Sequence, residues 1–170
     1  MKKTPAIKLR YPRLKDAERL YEILQNPKFI YFPVKIDSVE SELLWIKATK
    51  TKRKKNLDWG YSILYDGKLV GAIGITIDQH PHRQHIGELG YFIDEHYWNK
   101  NIATQAVALV EEIGFTKLGL KRIEIRMVSL NKSSEKVAIK NGYTKEGLLK
   151  KSHIDKRGRF KDTYIYAKVA

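Results

Sequence analysis

The chain has 170 residues, and its 33 Lys and Arg residues outnumber 19 Asp and Glu residues to give a formal net charge of +14. This length suits one domain with a sizeable core, and no Pro/Gly/Ser-rich linker divides it, so we expect a single domain over residues 1–170. The absence of cysteine excludes disulfides, thiolate metal sites and a cysteine nucleophile. Apolar runs are far shorter than the ~20 residues of a membrane span, and the N-terminus lacks a signal-peptide core. We therefore expect a cytoplasmic protein with no membrane partner.

The positive charge favours polyanionic partners, such as RNA, the ribosome or a phosphorylated cofactor. A lysine-rich solubilising surface has equal weight, because net charge bears on association and solubility and not on fold. The basic run at residues 50–55 is expected to be a solvated helix end, with contact to RNA or substrate as the less favoured alternative.

The first third of the chain predicts one strand followed by two helices. Ile7 and Leu9 alternate with charged residues, as in an edge strand. Helical spacing over residues 14–24 predicts a first helix, which Asn26-Pro27 ends. A capping box at residues 37–40 predicts the start of a second helix, which ends in the basic run.

A hairpin follows, with strands at 59–65 and 68–77 joined by the two-residue turn Asp66-Gly67. The next stretch, 80–85, contains three histidines together with proline and polar residues. We predict an exposed hairpin tip and no metal site, because no further ligand lies at a spacing familiar from zinc proteins.

The central stretch, 87–106, predicts a strand that feeds a helix through a short turn. Residues 88–93 alternate like a half-buried strand, and apolar residues recur at helical spacing over 102–118. The backbone amides at the start of such a helix are free to bind an anion, and the helix dipole and Lys100 add positive charge there.

The last third predicts a strand over 122–129, a helix over 133–140 ending at Asn141-Gly142, and a final hairpin with strands at 143–154 and 160–169. The order β-α-α-β-β-β-α-β-α-β-β predicts an α/β or α+β domain with one mainly antiparallel sheet and helices on both faces.

Two motifs carry a resemblance to a known family. The first comprises residues 90–93 (GYFI) and 97–106 (YWNKNIATQA), and the second comprises 131–137 (NKSSEKV) and 140–143 (KNGY). In this order they resemble the GNAT (Gcn5-related) N-acetyltransferases, and most closely the RimJ/RimL-like branch of ribosomal-protein N-acetyltransferases. The resemblance implies a seven-stranded mixed sheet in which the strands at 88–93 and 123–129 splay apart to admit pantetheine.

The resemblance also implies acetyl-CoA as a ligand and assigns residues to it. Asn99 and Asn101 replace the glycines usual in this loop, and asparagine is the best non-glycine residue for a left-handed conformation. Backbone amides near Phe92 and Ile93, freed by a bulge, are implied to polarise the thioester carbonyl. The remaining contacts are expected from Trp98, Asn99, Lys100, Asn101, Ile102, Ala103, Thr104, Asn131 and Ser134.

Two side chains are the candidates for proton transfer. Glu88 is the leading candidate for the base, with an ordinary salt-bridged strand glutamate as the alternative. Many family members carry a tyrosine that acts as the general acid where this chain has Ala138. Ser134 therefore becomes the candidate for protonating or hydrogen-bonding the leaving thiolate. Helix capping alone explains Asn131 and Ser134 equally well.

We therefore expect an acetyl-CoA-dependent N-acetyltransferase without a metal, whose acceptor is a protein N-terminal α-amine, such as that of a ribosomal protein. One alternative is a small-molecule acetyltransferase for a polyamine, amino sugar or drug. The other is a non-catalytic RNA- or ribosome-binding module on a degenerate scaffold, which the charge of +14 favours. The sequence leaves a homodimer open.

Overall fold

The computed structural model describes residues 7–32 and 37–170, which form a seven-stranded sheet with helices on both faces. The strands are β1 (Ile7–Arg10), β2 (Asp58–Tyr65), β3 (Lys68–Ile77), β4 (Ile86–Ile93), β5 (Arg122–Val128), β6 (Thr144–Ile154) and β7 (Phe160–Val169). The helices are α1 (Ala17–Leu24), α2 (Val39–Lys54), α3 (Ile102–Glu112) and α4 (Lys132–Lys140). The predicted element order and fold class are confirmed. No helix in these ranges is long and apolar enough to cross a bilayer.

The sheet has the order β1-β2-β3-β4-β5-β7-β6. All neighbouring strands are antiparallel except β4 and β5, which run parallel. A parallel pair needs a crossover connection, and α3 provides it. The sheet therefore consists of two antiparallel parts that meet at one parallel pair in the centre.

Two apolar cores lie on opposite faces of this sheet. The larger core joins the sheet to α3 and α4, and its fully buried members include Ile75, Val107, Val110 and Ile123. The smaller core joins α1 and α2 to the other face through Ala17, Leu20, Ile46 and Ala72. Successive strand residues point to opposite faces, so one strand such as β3 contributes to both cores.

Two helix ends differ from the prediction. The cap of α2 is Ser38 and not Asp37, because the Ser38 hydroxyl accepts the Ser41 amide at 3.2 Å. The helix predicted over 102–118 is α-helical only as far as Glu112 and continues as a π-helical turn over Ile113–Lys117. The basic run is, as predicted, the last turn of α2.

Gly71 allows the close approach of β3 to the end of β4. A Cβ atom at Gly71 would lie 2.1 Å from the Phe92 carbonyl oxygen and 3.1 Å from the Ile93 Cα, both of which belong to the backbone. We expect Gly71→Ala to lower the free energy of unfolding by about 1–3 kcal/mol, since backbone must move to relieve the overlap. Thermal unfolding would then shift down by roughly 2–4 °C per kcal/mol.

The matched control is Gly90→Ala in β4, where an added Cβ meets nothing within 4 Å. Equal melting temperatures for the two variants would show that the β3–β4 contact at Gly71 is not a tight one.

Candidate functional site

The central feature of the site is the divergence of β4 from β5. Their pairing covers three residue pairs and ends at Glu88↔Glu124, whereas β4 stays paired with β3 as far as Ile93. The gap opens a cleft of about 1510 Å³, which we call the cleft. Pockets for single small molecules are typically ~300–1,000 Å³, so the cleft has room for two substrates.

Hydrogen bonds at both ends of β4 show which backbone groups face the gap. The Asp78 amide donates to the Ile86 carbonyl at 3.0 Å, and the Asp94 amide donates to the Val70 carbonyl at 2.7 Å. Backbone groups alternate along an antiparallel strand, so even-numbered residues of β4 bond to β3 and odd-numbered residues face the gap.

The predicted bulge near Phe92 and Ile93 is wrong, because the register between β3 and β4 runs without a shift from Gly87 to Ile93. The divergence of the strands beyond Glu88↔Glu124 frees the amides instead, and it frees those of Tyr91 and Ile93. The Phe92 amide faces β3, while its ring lies in the lining of the cleft.

The loop before α3 has the predicted left-handed conformation at both asparagines, with φ of 61° at Asn99 and 60° at Asn101. The α3 hydrogen-bond ladder starts with the Gln105 amide, which donates to the Asn101 carbonyl at 3.2 Å. The preceding amides of the first turn have no intrahelical acceptor and can bind an anion. They belong to Ile102, Ala103 and Thr104.

Lysine side chains add positive charge to this end of the cleft. Lys140 Nζ lies 3.4 Å from Asn101 Oδ1, and Lys136, one turn earlier in α4, lines the same cleft. Lys100 Nζ sits 5.0 Å from the centre of the Tyr97 ring. The sequence reasoning missed Lys136 and Lys140, although their spacing of four residues places them on one helix face.

Trp98 connects the loop before α3 to the end of β4. Its indole N–H donates to the Ile93 carbonyl at 2.7 Å, and its ring meets Phe29 edge-on at 6.0 Å. Trp98 therefore packs under the loop. Its ring also lies in the cleft lining.

Tyr91 is a candidate residue that the sequence reasoning missed. Its hydroxyl oxygen lies 2.9 Å from Ser134 Oγ at the start of α4. Burial raises the pKa of Tyr91 to about 12, although the Ser134 hydroxyl opposes the rise. Asn131 is the N-cap of α4, and its side chain accepts the Ser134 amide at 3.2 Å, so the capping role expected for Asn131 is present.

The signal for Tyr91 lay in the motif itself, since this residue follows Gly90 directly. Its hydroxyl reaches the first turn of α4, the helix on which many family members carry a tyrosine. Ala138, which occupies that family position, is fully buried in the larger core.

Glu88 lies on the opposite face from Tyr91, three residues earlier in β4. It is in register with Thr76 of β3 and Glu124 of β5, and its side chain is 53 % exposed. Partial burial raises the pKa of Glu88, and the charge of Arg126, 3.6 Å away, opposes the rise. A half-exposed carboxylate with a raised pKa in a cleft is suited to accept a proton.

Arg126 belongs to a chain of ion pairs that fixes this edge of the cleft. It donates to Glu124 at 2.9 Å, and Glu124 also accepts from Arg122 at 2.8 Å. These contacts hold the pKa of Glu124 below its ordinary value, although burial acts in the opposite direction. Arg126 is therefore shared by two carboxylates, and Glu124 lies closer to it than Glu88 does.

Three glycines in register form a floor beside Glu88 on the same face. Gly60 pairs with Gly74, and Gly74 pairs with Gly90, across β2, β3 and β4. The Trp45 ring lies 3.2 Å from a Cβ built on Gly60, whereas Gly90 is open to the cleft. The floor lets a ligand approach the backbone of β4 from the α1 and α2 side.

The histidine stretch is an exposed turn, as predicted, in which Arg83 pairs with Asp78 at 2.6 Å. Within the two described ranges, no three His, Cys, Asp or Glu side chains converge to hold a metal ion.

Comparison with known proteins agrees with this geometry. The acetyltransferase (GNAT) domain family matches residues 7–144. An uncharacterized N-acetyltransferase, YoaA of Bacillus subtilis (strain 168), is 28 % identical over 156 residues, covering 89 % of this chain and 86 % of YoaA.

Two solved structures show the same fold. The microcin C7 self-immunity acetyltransferase MccE, in complex with acetyl-CoA and AMP, has a TM-score of 0.83 at 31 % identity and covers 96 % of this chain and 92 % of its own. Mycobacterium smegmatis RimJ, in complex with CoA-disulfide, has a TM-score of 0.88 at 24 % identity over 98 % of this chain and 83 % of its own. Since the family match runs from β1 to the start of β6 and includes both sides of the cleft, the chain belongs to the GNAT family of acetyltransferases.

Proposed function

We propose that the protein transfers an acetyl group from acetyl-CoA to a primary amine within a ternary complex, and that the preferred acceptor is a protein N-terminal α-amine. The observation that carries this proposal is the meeting, in one cleft, of the gap beside β4 with the amide-rich start of α3. A thioester arm fits along such a gap, and a pyrophosphate fits at such a helix start.

The residues at the α3 end fit the phosphates of acetyl-CoA. The amides of Ile102 to Thr104 point toward an anion, and the lysines of α4 supply full charges nearby. MccE is described with acetyl-CoA bound in the same fold, which supports this assignment. The gap-facing amides of Tyr91 and Ile93 then offer the arm a strand-like edge, with the Ile93 amide nearest the loop.

Groups on opposite faces of β4 act on the acceptor amine and on the leaving thiolate. Glu88, on the α1 and α2 face, takes a proton from the acceptor amine, directly or through water. An α-amine has a pKa of about 7.7–8.0, so a carboxylate of modest basicity is enough near neutral pH. Tyr91 and Ser134, on the other face, hydrogen-bond to the leaving thiolate.

The Tyr91–Ser134 pair acts as a hydrogen-bond donor more than as an acid. Burial holds the pKa of Tyr91 at about 12, whereas an ordinary thiol has a pKa of about 8.5. Proton transfer from Tyr91 to the thiolate is therefore uphill, and the hydroxyl stays protonated while it stabilises the developing negative charge.

The resemblance to the RimJ/RimL-like branch supports a protein N-terminus as the acceptor. A small cationic amine is a second candidate, because Asp58 and Glu42 also line the α1 and α2 side of the cleft. We also propose that the basic surface contacts the ribosome or RNA. A homodimer is a further proposal. The direct test is acetyl-CoA consumption with an N-terminal peptide, together with thermal stabilisation by acetyl-CoA.

Replacing Thr104 by aspartate tests the anion site without weakening the helix. A carboxylate at the third helical position favours α3 by about 0.3–1 kcal/mol but repels a pyrophosphate. We expect Thr104→Asp to weaken acetyl-CoA binding about tenfold or more, because two like charges within a few ångströms repel by at least ~1 kcal/mol. Isothermal calorimetry measures the change.

Thr104→Asn is the matched control, with the same size and no charge. If both variants bind acetyl-CoA equally well, the phosphates do not lie at the start of α3.

The Glu88→Gln variant tests the base. We expect the rate near neutral pH to fall by roughly 10²-fold or more, the usual size of a general-base contribution. In the native enzyme the rate should fall as the pH drops through the raised pKa of Glu88, because the protonated carboxyl cannot accept a proton. The variant should lack this acid limb and recover part of its rate at high pH, where the amine is already deprotonated.

A pH–rate profile on an N-terminal peptide provides the measurement, and Glu18→Gln, an exposed carboxylate on α1, is the control. Parallel profiles for Glu88→Gln and the native protein would reduce Glu88 to a strand residue paired with Arg126.

Tyr91→Phe removes the hydroxyl that contacts Ser134 and keeps the ring. We expect kcat to fall about ten- to a hundredfold, the worth of a hydrogen bond to a charged group, with little change in acetyl-CoA affinity. Tyr143→Phe, a buried tyrosine outside the cleft lining, is the control. An unchanged kcat for Tyr91→Phe would assign Tyr91 to packing alone.

A further inference from the structure

Glu42 is a buried carboxylate with no partner among residues 7–32 and 37–170. It lies in the first turns of α2, only 4 % exposed, and it lines the cleft. It forms no hydrogen bond or ion pair with any residue of the described ranges. Burial raises its pKa, and no neighbouring charge opposes the rise.

Such a side chain is costly for the folded protein. Buried carboxylates are normally paired or hydrogen-bonded, because an isolated charge in a poorly solvated place is unfavourable. The position near the start of α2 does not account for the burial. Glu40, in the same turn, has the same benefit from the helix dipole and lies exposed to solvent.

Asp58 is a second carboxylate on this side of the cleft. It opens β2, is in register with Thr76, and its Oδ1 lies 3.5 Å from a Cβ built on Gly74 of the floor. Burial raises the pKa of Asp58, with Lys52 acting in the opposite direction, and no cation lies within 4.0 Å of it in the described ranges.

Trp45 supplies an aromatic surface next to both carboxylates. It follows Glu42 by three residues on α2, so the two side chains share a helix face. The Cζ2–Cη2 edge of its ring lies against Gly60, and Gly60 is two residues from Asp58 on the same face of β2. Carboxylates beside an indole face form an environment that favours an organic cation.

We propose that Glu42, Asp58 and Trp45 bind a second positive charge on the acceptor, so that the preferred acceptor is an amine with another cationic group. This inference rests on the proposed function, since it takes Glu88 as the place of the reacting amine. Asp58 and Glu88 occupy the same row of the sheet two strands apart, which is ~10 Å. A cationic group separated from the amine by several bonds spans that distance.

The same chemistry occurs in a small diamine or polyamine and in a peptide with lysine after its N-terminal residue. The two sources are distinguished by two matched acceptor pairs. The first pair is cadaverine and n-pentylamine, which differ by one ammonium group. The second pair is two N-terminal peptides that differ only in lysine or norleucine at their second position.

The experiment measures kcat/KM of the full chain with acetyl-CoA for all four acceptors. We expect the dicationic member of at least one pair to be favoured about tenfold or more, the worth of a charge-assisted contact. The pair that shows the preference identifies the source. Glu42→Gln and Asp58→Asn should each reduce the ratio within that pair severalfold, and the double variant should bring it near one.

Glu40→Gln is the matched control, because it removes one negative charge from the same helix turn outside the cleft lining. It should leave the ratio unchanged. Equal kcat/KM within both pairs, or an equal effect of Glu40→Gln and Glu42→Gln, would overturn the subsite.

The subsite and the proposed function fail in different ways. If no acceptor is acetylated, the proposed function fails, and calorimetric titration still tests the subsite directly. Cadaverine should then bind the native protein more tightly than n-pentylamine does, and Glu42→Gln should abolish that difference. Equal binding of the two amines would overturn the subsite whatever the catalytic result.

Discussion

The site depends on the early end of the pairing between β4 and β5. A parallel pair inside an otherwise antiparallel sheet is held by three residue pairs, and the last of them joins Glu88 to Glu124. From that row onward β4 keeps its bonds to β3 but presents its other edge to the cleft. A sheet edge with unpaired amides in the middle of a domain must be covered by protein or must bind a ligand, because buried backbone donors without partners are strongly unfavourable.

The charge distribution around this gap differs from that of the chain as a whole. A formal net charge of +14 suggests a uniformly basic molecule, and the α4 side of the cleft is indeed lined by lysines. The α2 side instead carries Glu42, Asp58 and Glu88, and within the described residues only Glu88 has a cation, Arg126, within 4.0 Å. Net charge describes long-range attraction of polyanions, but field lines in a cleft follow the nearest groups. The cleft therefore has a basic end suited to phosphates and an acidic end suited to amines.

Most of the fold could be predicted from the sequence, since alternation and helical spacing located the strands β1–β7 and the helices α1–α4. The left-handed Asn99 and Asn101 were also predictable, because few non-glycine residues adopt that conformation readily. The cap at Ser38 was missed by one residue, because Asp37 and Ser38 are both good caps and only tertiary packing chooses between them.

The parts of the site that were not predicted depend on contacts between distant segments. Glu42 and Asp58 are separated in the sequence, and both line the cleft because α2 packs on β2. Tyr91 and Ser134 are likewise brought together by the packing of α4 on α3 and β5. The amides of β4 are freed by its divergence from β5 and not by the expected bulge. No local sequence pattern indicates where the hydrogen-bonded pairing between two distant strands ends.

The opposite placement of Tyr91 and Glu88 on β4 has a consequence for the order of events. In the proposed ternary complex, the donor lies on the α3 and α4 side and the acceptor lies on the α1 and α2 side, so β4 separates their routes of entry. Neither molecule has to leave before the other arrives, and each product can depart along its own route. If both substrates bind as proposed, the arrangement permits them to bind in either order, and it requires no covalent acetyl-enzyme.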